Sequence, residues 1–257
     1  MTKIPTDIHL YTLNTPNGVK VSMLLEELNL EYKASFLFLF VTRIDIMSNV
    51  QKEPWFLEIN PNGRIPALTD TFTDGKPIHL WESASIMQYL VERYDTENKI
   101  SYPKGTREYW EVNNWVFWQM AGLGPMQGQA NHFTRYAPEK IEYGINRYKN
   151  ETRRLYGVMD TQLAKSTSGF LVGDRLTIAD IICVGWVGAH AWPGLTINEF
   201  PKLKEWLERM ENRPAIQAGW NVPTPRMKLD VSEEELEAKA KQSREWIQKN
   251  MAEDAKK

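Results

Sequence analysis

The sequence predicts an α/β domain followed by an all-helical domain, and three observations lead there. Up to about residue 94, short β-compatible runs alternate with helix-period runs in the order β-α-β-α-β-β-α. Past a polar stretch, Asp95 to Lys104, every strong pattern is helical. A chain of 257 residues with 42% hydrophobic content can bury the cores of two such units. The expected limits are 1–94 for the first domain, 95–104 for the linker, 105–225 for the helical domain and 226–257 for a charged helical extension.

Each element follows from its residues. Ile8, Leu10, Tyr11 and Leu13 form a first strand that ends in the turn formers Asn14-Thr15-Pro16-Asn17-Gly18. Val21, Leu24, Leu25 and Leu28 then recur at helical spacing, and Asn29 is a plausible C-cap. Tyr32 to Leu39 reads as the second strand, which makes the opening a βαβ unit with a right-handed crossover. The pattern lapses between Leu39 and Gln51, and a short helix over Pro54-Trp55-Phe56-Leu57 stops near Asn60-Pro61-Asn62-Gly63. Pro66 stands at the mouth of the next strand, where a missing N–H is tolerated and a cis bond would shape a tight corner. Gly75-Lys76-Pro77 turns that strand into Ile78 to Trp81, and Glu82-Ser83 opens a helix whose apolar face is Ile86, Met87, Leu90 and Val91.

In the second domain, helices are expected over Trp110 to Gln119, Ile141 to Leu163, Ile178 to Trp192, Pro201 to Met210 and Pro214 to Trp220. Thr177 and Asp180 form a capping box, with aspartate in place of the usual glutamate or glutamine. Ser232 and Glu235 form another, opening a helix to Asp254 whose thin stripe of Leu236, Ala240, Ile247 and Met251 suits an exposed surface or a dimer contact.

Thirty-one basic and 33 acidic side chains give a formal net charge of −2, which offers nucleic acid or an anionic membrane no electrostatic footprint. The longest apolar run, Phe36 to Val41, is far short of the roughly 20 residues of a membrane span. The N-terminus lacks the pattern of a secretory leader, and the lone cysteine, Cys183, excludes an internal disulfide and a cysteine-rich zinc site, so the expectation is a cytoplasmic protein with a small-molecule partner. His9, His79, His132 and His190 show no metal-ligand spacing, and no metal is expected.

These features together resemble a known family. The strand and helix order, the Ile65-Pro66 step, the Glu82-Ser83 helix start and the Thr177-to-Asp180 box are similar to the cytosolic glutathione transferases. Thr15-Pro16-Asn17-Gly18, Asn60-Pro61-Asn62-Gly63-Arg64-Ile65-Pro66, Trp81-Glu82-Ser83 and Phe117-Trp118-Gln119 most resemble one branch, that of the bacterial nu class and the transferase-like domain of a fungal prion-forming nitrogen regulator. The likeness runs from about Ile8 to Trp220. It implies a thioredoxin-like first domain, a helical second domain, glutathione as co-substrate and a homodimer. It also implies catalytic roles for Thr15 and Asn17 beside the glutathione sulfur, and glutathione contacts at Gln51, the Ile65 backbone, Glu82, Ser83 and Arg147. Arg64 is a nearby candidate for the carboxylates, and Trp118, Met126 and Phe133 are candidates for the acceptor pocket. Against that branch, Phe38 to Ile46 reads as an insertion, just ahead of Gln51.

The chemistry has a physical basis. A free thiol has a pKa near ~8.5, so lowering it by about two units takes roughly 2.7 kcal/mol of preference for the anion. A hydroxyl, an amide and the start of the helix at Gly18 are of that scale together. An unpaired edge at Ile65 can meet a peptide in strand-like fashion, Glu82 suits the γ-glutamyl ammonium, and Ser83 with the following helix suits its carboxylate. Taken singly, Thr15 and Asn17 are turn formers, Glu82-Ser83 is a helix start, and Trp118, Met126 and Phe133 are core; Tyr11 and Cys183 read as packing residues. The resemblance implies reduction of disulfides by glutathione, with peroxides or electrophiles as further partners. The alternative is a non-catalytic regulator or interaction protein of the same fold.

Overall fold

The first domain is built on four short strands paired into one sheet. The computed structural model describes residues 3–32, 41–227, 229 and 231–254. Strand β1 (His9–Thr12) pairs in parallel with β2 (Val41–Arg43) and antiparallel with β3 (Ala67–Thr71), and β3 carries β4 (Pro77–Trp81), giving the order β2-β1-β3-β4. Helix α1 (Gly18–Glu27) makes the crossover between β1 and β2, α2 (Pro54–Leu57) precedes β3, and α3 (Ser83–Tyr94) follows β4. This is the predicted βαβαββα order, with a cis Ile65–Pro66 bond at the mouth of β3.

One strand differs from expectation. Tyr32 belongs to no strand, and residues 33–40 lie outside the described residues, so most of the expected Tyr32-to-Leu39 strand does too. The partner of β1 is Val41–Arg43, inside the stretch read as a lapse and an insertion. Three residues are too few to show a period-two pattern, which is why sequence placed the strand earlier. Two 3₁₀ turns, Ile46–Ser48 and Val50–Lys52, then lead to α2.

The helical domain contains α4 (Arg107–Trp118), α5 (Gly124–Asn131), α6 (Glu142–Lys165), α7 (Ile178–Val187), α8 (Pro201–Glu211) and α9 (Pro214–Trp220). Residues 107–136 form one helical run, in which widened π-type turns at Gln119–Leu123 and His132–Tyr136 flank α5. Sequence stopped this run at Gln119, because Gly122, Gly124, Pro125 and Gly128 lower helix propensity; a π turn just ahead of Pro125 accommodates its missing N–H.

All ten residues of α7 are buried, as its apolar run predicted, but the helix ends at Val187 rather than Trp192. A side chain at Gly188 would strike the Trp220 ring, so the chain turns there at close quarters. The Thr177–Asp180 capping box forms as expected: Thr177 Oγ1 accepts from the Ala179 N–H at 3.2 Å and Asp180 Oδ2 from the Thr177 N–H at 3.2 Å. Asp180 Oδ1 also accepts from the Leu171 N–H at 3.0 Å and the Trp206 indole at 2.9 Å. Helix α1 packs on α9, α3 and α7, so the two domains share one apolar core.

The charged helix α10 (Glu233–Asp254) is not simply exposed, as its thin stripe suggested. Leu236 and Ala240 are buried against Trp192 with Tyr136, Leu229 and Val231. Its first turn pairs Glu233 with the buried Arg135, and its far end reaches the first domain, where Trp246 Nε1 donates to Asn49 Oδ1 at 3.2 Å and Asn49 Nδ2 to Asn250 Oδ1 at 2.8 Å. No helix among the described residues is long and apolar enough to cross a membrane.

Candidate functional site

The turn after β1 is shaped by two close contacts. A side chain at Gly18 would stand 2.1 Å from Leu13 O and 2.4 Å from Thr12 Oγ1, so only glycine lets α1 start against the strand it leaves. Thr15 Oγ1 accepts from the Gly18 N–H at 3.1 Å and closes the first turn. Asn17, at the N-cap position, is free of that duty. Its Oδ1 instead accepts from the Trp186 indole at 2.9 Å. An indole N–H can only donate, so the amide orientation is fixed and Nδ2 remains as a donor at the start of α1.

Asn17 opens onto a cavity of about 260 Å³ lined also by Asn60, Asn62, Arg64, Ile65, Pro66, Glu82, Ser83 and Met120. The Asn60-to-Pro66 loop is held by Asn60, whose Nδ2 donates to Arg64 O at 2.7 Å and whose Oδ1 accepts from the Asn62 N–H at 2.9 Å. The paired ladder begins at Ala67, one residue past Pro66, so Ile65 precedes the sheet register and lies along the cavity. Glu82 has φ 64 and ψ 117, a left-handed backbone in which a side chain is strained, and this turn carries its exposed carboxylate into the cavity at the start of α3. The cavity thus presents an amide donor, a carboxylate, a hydroxyl and the starts of two helices.

Of the residues expected to form a site, Asn17, Arg64, Ile65, Glu82 and Ser83 come together here. Thr15 lies behind Asn17, in a separate cavity of about 70 Å³ beside Asn14, Pro16 and Trp220. Gln51 is buried within its own loop, donating to Asn49 Oδ1 at 3.3 Å, and Arg147 is exposed on α6. Trp118 and Met126 pack against the main core and Phe133 stacks on Tyr148, so none of the three lines this cavity. Met120, from the π turn that sequence reading missed, does line it.

Three further residues sit directly behind the lining. Trp186 fixes Asn17, as above. Lys20 is fully buried, with Nζ 2.6 Å from Gln119 Oε1, 3.2 Å from Ser83 Oγ and 3.5 Å from Met120 Sδ. Burial pulls its ammonium down from 10.5 to about 7, with Glu82 opposing. A signal existed for Lys20: with Leu24 and Leu28 it forms an i, i+4, i+8 row on the apolar face of α1, where a lysine must be buried. Cys183 is buried, and burial pushes its thiol well above the ordinary range. Tyr11 is buried beside Ile44 and Phe56, the packing role expected of it. Among the described residues, no group of three histidine, cysteine or acidic side chains could hold a metal ion.

Comparison with known proteins bears on what the cavity holds. Residues 15–93 match the N-terminal domain of glutathione S-transferase and residues 124–214 match its C-terminal domain. The chain is 40% identical over 210 residues to the disulfide-bond oxidoreductase YfcG of Escherichia coli, covering 81% of this chain and 92% of that one. A glutathione transferase homologue from Lodderomyces elongisporus, solved with two glutathione molecules per subunit, superposes with a TM-score of 0.77 at 43% identity, over 84% of this chain and 98% of the other. The transferase URE2P6 from Phanerochaete chrysosporium, solved with oxidized glutathione, gives 0.75 at 39% identity, over 84% and 96%.

Proposed function

The chain belongs to the glutathione S-transferase family, and we propose that it binds glutathione in the Asn17 cavity and uses the bound thiolate to reduce disulfides. The observation that carries this reading is the Asn17 amide, whose oxygen is committed to Trp186 and whose donor is left at the start of α1, where a sulfur anion is favoured. Glu82 takes the γ-glutamyl ammonium, Ser83 with the start of α3 takes the γ-glutamyl carboxylate, and Ile65 pairs its backbone with the cysteinyl residue. Arg64 neutralises the glycyl end, and Thr15 acts by holding the turn that presents Asn17.

No protein sulfur takes part, because Cys183 is buried and held protonated. The thiolate attacks one sulfur of the substrate disulfide, forming a mixed disulfide and releasing one thiolate. A second glutathione thiolate then attacks the glutathionyl sulfur, giving oxidized glutathione and the second product thiol. Two thiols are oxidised and one disulfide is reduced, so the exchange balances. Relatives solved with two glutathione molecules or with oxidized glutathione support this two-thiol course.

The experiment is a coupled assay with glutathione and a small disulfide, run beside peroxide and electrophile substrates, with calorimetry for glutathione itself. Turnover of the disulfide is expected. Binding without turnover of any substrate would replace the enzyme with a glutathione-binding regulator of the same fold, and absence of binding would end the reading.

A further inference from the structure

Helix α1 hides a cation that no step above uses. We propose that Lys20 is a positioning residue that selects ligands bearing a γ-glutamyl α-carboxylate, acting on that carboxylate through the Ser83 hydroxyl. The inference rests on the glutathione reading and concerns the charge behind the same site.

The geometry is specific. Lys20 does not line the cavity, whereas both Ser83 and Met120, which it touches, do. Its three neighbours, Gln119 Oε1, Ser83 Oγ and Met120 Sδ, are all neutral, and among the described residues no carboxylate lies at ion-pair distance from Nζ. A buried ammonium with only neutral partners is an unfavourable arrangement, so an anion arriving nearby gains more from it than from a solvated lysine. Ser83 Oγ accepts from Lys20, which leaves the hydroxyl proton to point elsewhere. Its present acceptor is Met120 Sδ at 3.4 Å, a weak one, and a carboxylate oxygen in the cavity is far better. Gln119 is fully buried, with Oε1 turned to Lys20 and Nε2 lacking a partner among the described residues. That orientation is imposed by the ammonium, which holds the helical domain's π turn against the cavity wall.

The groups facing Lys20 from each packed element define the pH response. Glu82 and Ser83 face it from the start of α3, Gln119 and Met120 from the π turn, and Cys183 from α7; α9 carries no titratable side chain. Cys183 stays protonated over the working range, so among the described residues Glu82 is the carboxylate that favours the charged lysine before a ligand arrives. A bound carboxylate favours the charged lysine and raises its pKa from about 7, so binding takes up a proton above that pH. Affinity therefore falls as pH rises.

Calorimetry with S-methylglutathione, whose blocked thiol cannot titrate, tests this against an analogue with hydrogen in place of the γ-glutamyl α-carboxyl group. For the wild-type protein, affinity for S-methylglutathione is expected to fall about six-fold from about pH 6.5 to about pH 8.5, the change that follows from a lysine pKa raised by about one unit from about 7. Net proton uptake should appear in buffers of differing ionisation enthalpy, and the analogue should show neither effect. Lys20→Met should bind S-methylglutathione about ten-fold more weakly at the lower pH, lose the pH slope and discriminate less between the two ligands. Lys20→Arg, which stays charged across this range, should also lose the slope. A Lys20→Met protein that keeps wild-type discrimination and slope overturns the proposal. Were that variant not to fold, wild-type binding of S-methylglutathione without proton uptake would overturn it equally. Failure of the wild-type protein to bind S-methylglutathione at all would count against the glutathione reading instead.

Discussion

Trp186→Phe tests whether the indole works only by aiming the Asn17 amide. A hydrogen bond from Asn17 Nδ2 to a thiolate is worth ~1.5–3 kcal/mol, or about one to two pK units of the bound thiol. Asn17→Ala should raise that pKa by this amount. The indole bond to Oδ1, 2.9 Å long and neutral, is worth ~1 kcal/mol and biases the amide toward presenting its donor. Without it the amide turns freely between two faces, and the thiol pKa should rise by no more than about 0.7 units. Titration of bound glutathione by ultraviolet thiolate absorbance reads all three proteins. The decisive measurement is the double variant: in an Asn17→Ala background, Trp186→Phe should change nothing further. An equal shift in both backgrounds would refute the reasoning, since the indole would then act on the sulfur by some other route. The void left beside Gly124 and Gly128 should lower stability by about 1–2 kcal/mol, which denaturant unfolding measures separately.

Two other outcomes are expected. Asp180→Ala removes an acceptor from four buried donors, the Leu171 and Thr177 N–H groups, the Thr177 hydroxyl and the Trp206 indole, and should cost roughly 3–5 kcal/mol in urea unfolding; a loss below about 1 kcal/mol would mean that the box does not hold α7 in place. Trp110 and Phe117, one heptad apart on α4, are 62% and 59% exposed, and Trp81 and Phe72 are 40% and 41% exposed at the sheet edge, which favours a homodimer through these faces. Trp110→Glu with Phe117→Glu should then halve the mass seen by light scattering, and an unchanged mass would place the contact elsewhere.

Much of this could be read from the residues alone, and the failures share a physical cause. Local signals were sufficient where one residue type has few uses: Pro66 at the strand mouth, the Thr177–Asp180 box, and the apolar run of α7. The cavity's Asn17, Ile65, Glu82 and Ser83 were named through motifs that resemble the glutathione transferases, with Arg64 as their neighbour, since taken singly Asn17 reads as a turn former and Glu82-Ser83 as a helix start. What sequence could not supply was side-chain direction across the fold. Thr15 was named beside the sulfur, but its hydroxyl closes its own turn and faces a second cavity. Met120 was invisible because its π turn arises from the proline and glycines beyond it rather than from any periodic pattern. Trp186 meets Asn17 across 169 positions, and Lys20 meets Gln119 across 99, separations at which periodicity carries no information. Helix α10 was read as an exposed surface or a dimer contact because its docking stripe is only a few residues wide.

That last helix has a mechanical consequence. Its first turn is fastened to the helical domain by Arg135, and its far end is hitched to Asn49, which also receives a hydrogen bond from Gln51 in the loop ahead of α2. The two domains are thus tied by a helix that runs about 20–26 Å between these attachments, from the 1.5 Å rise of each helical residue. Any motion that parts the Asn49 loop from α10 requires Trp246 and Asn250 to let go, at ~0.5–1.5 kcal/mol for each hydrogen bond. The far end of α10 therefore resists displacement of the Asn49 loop relative to the helical domain.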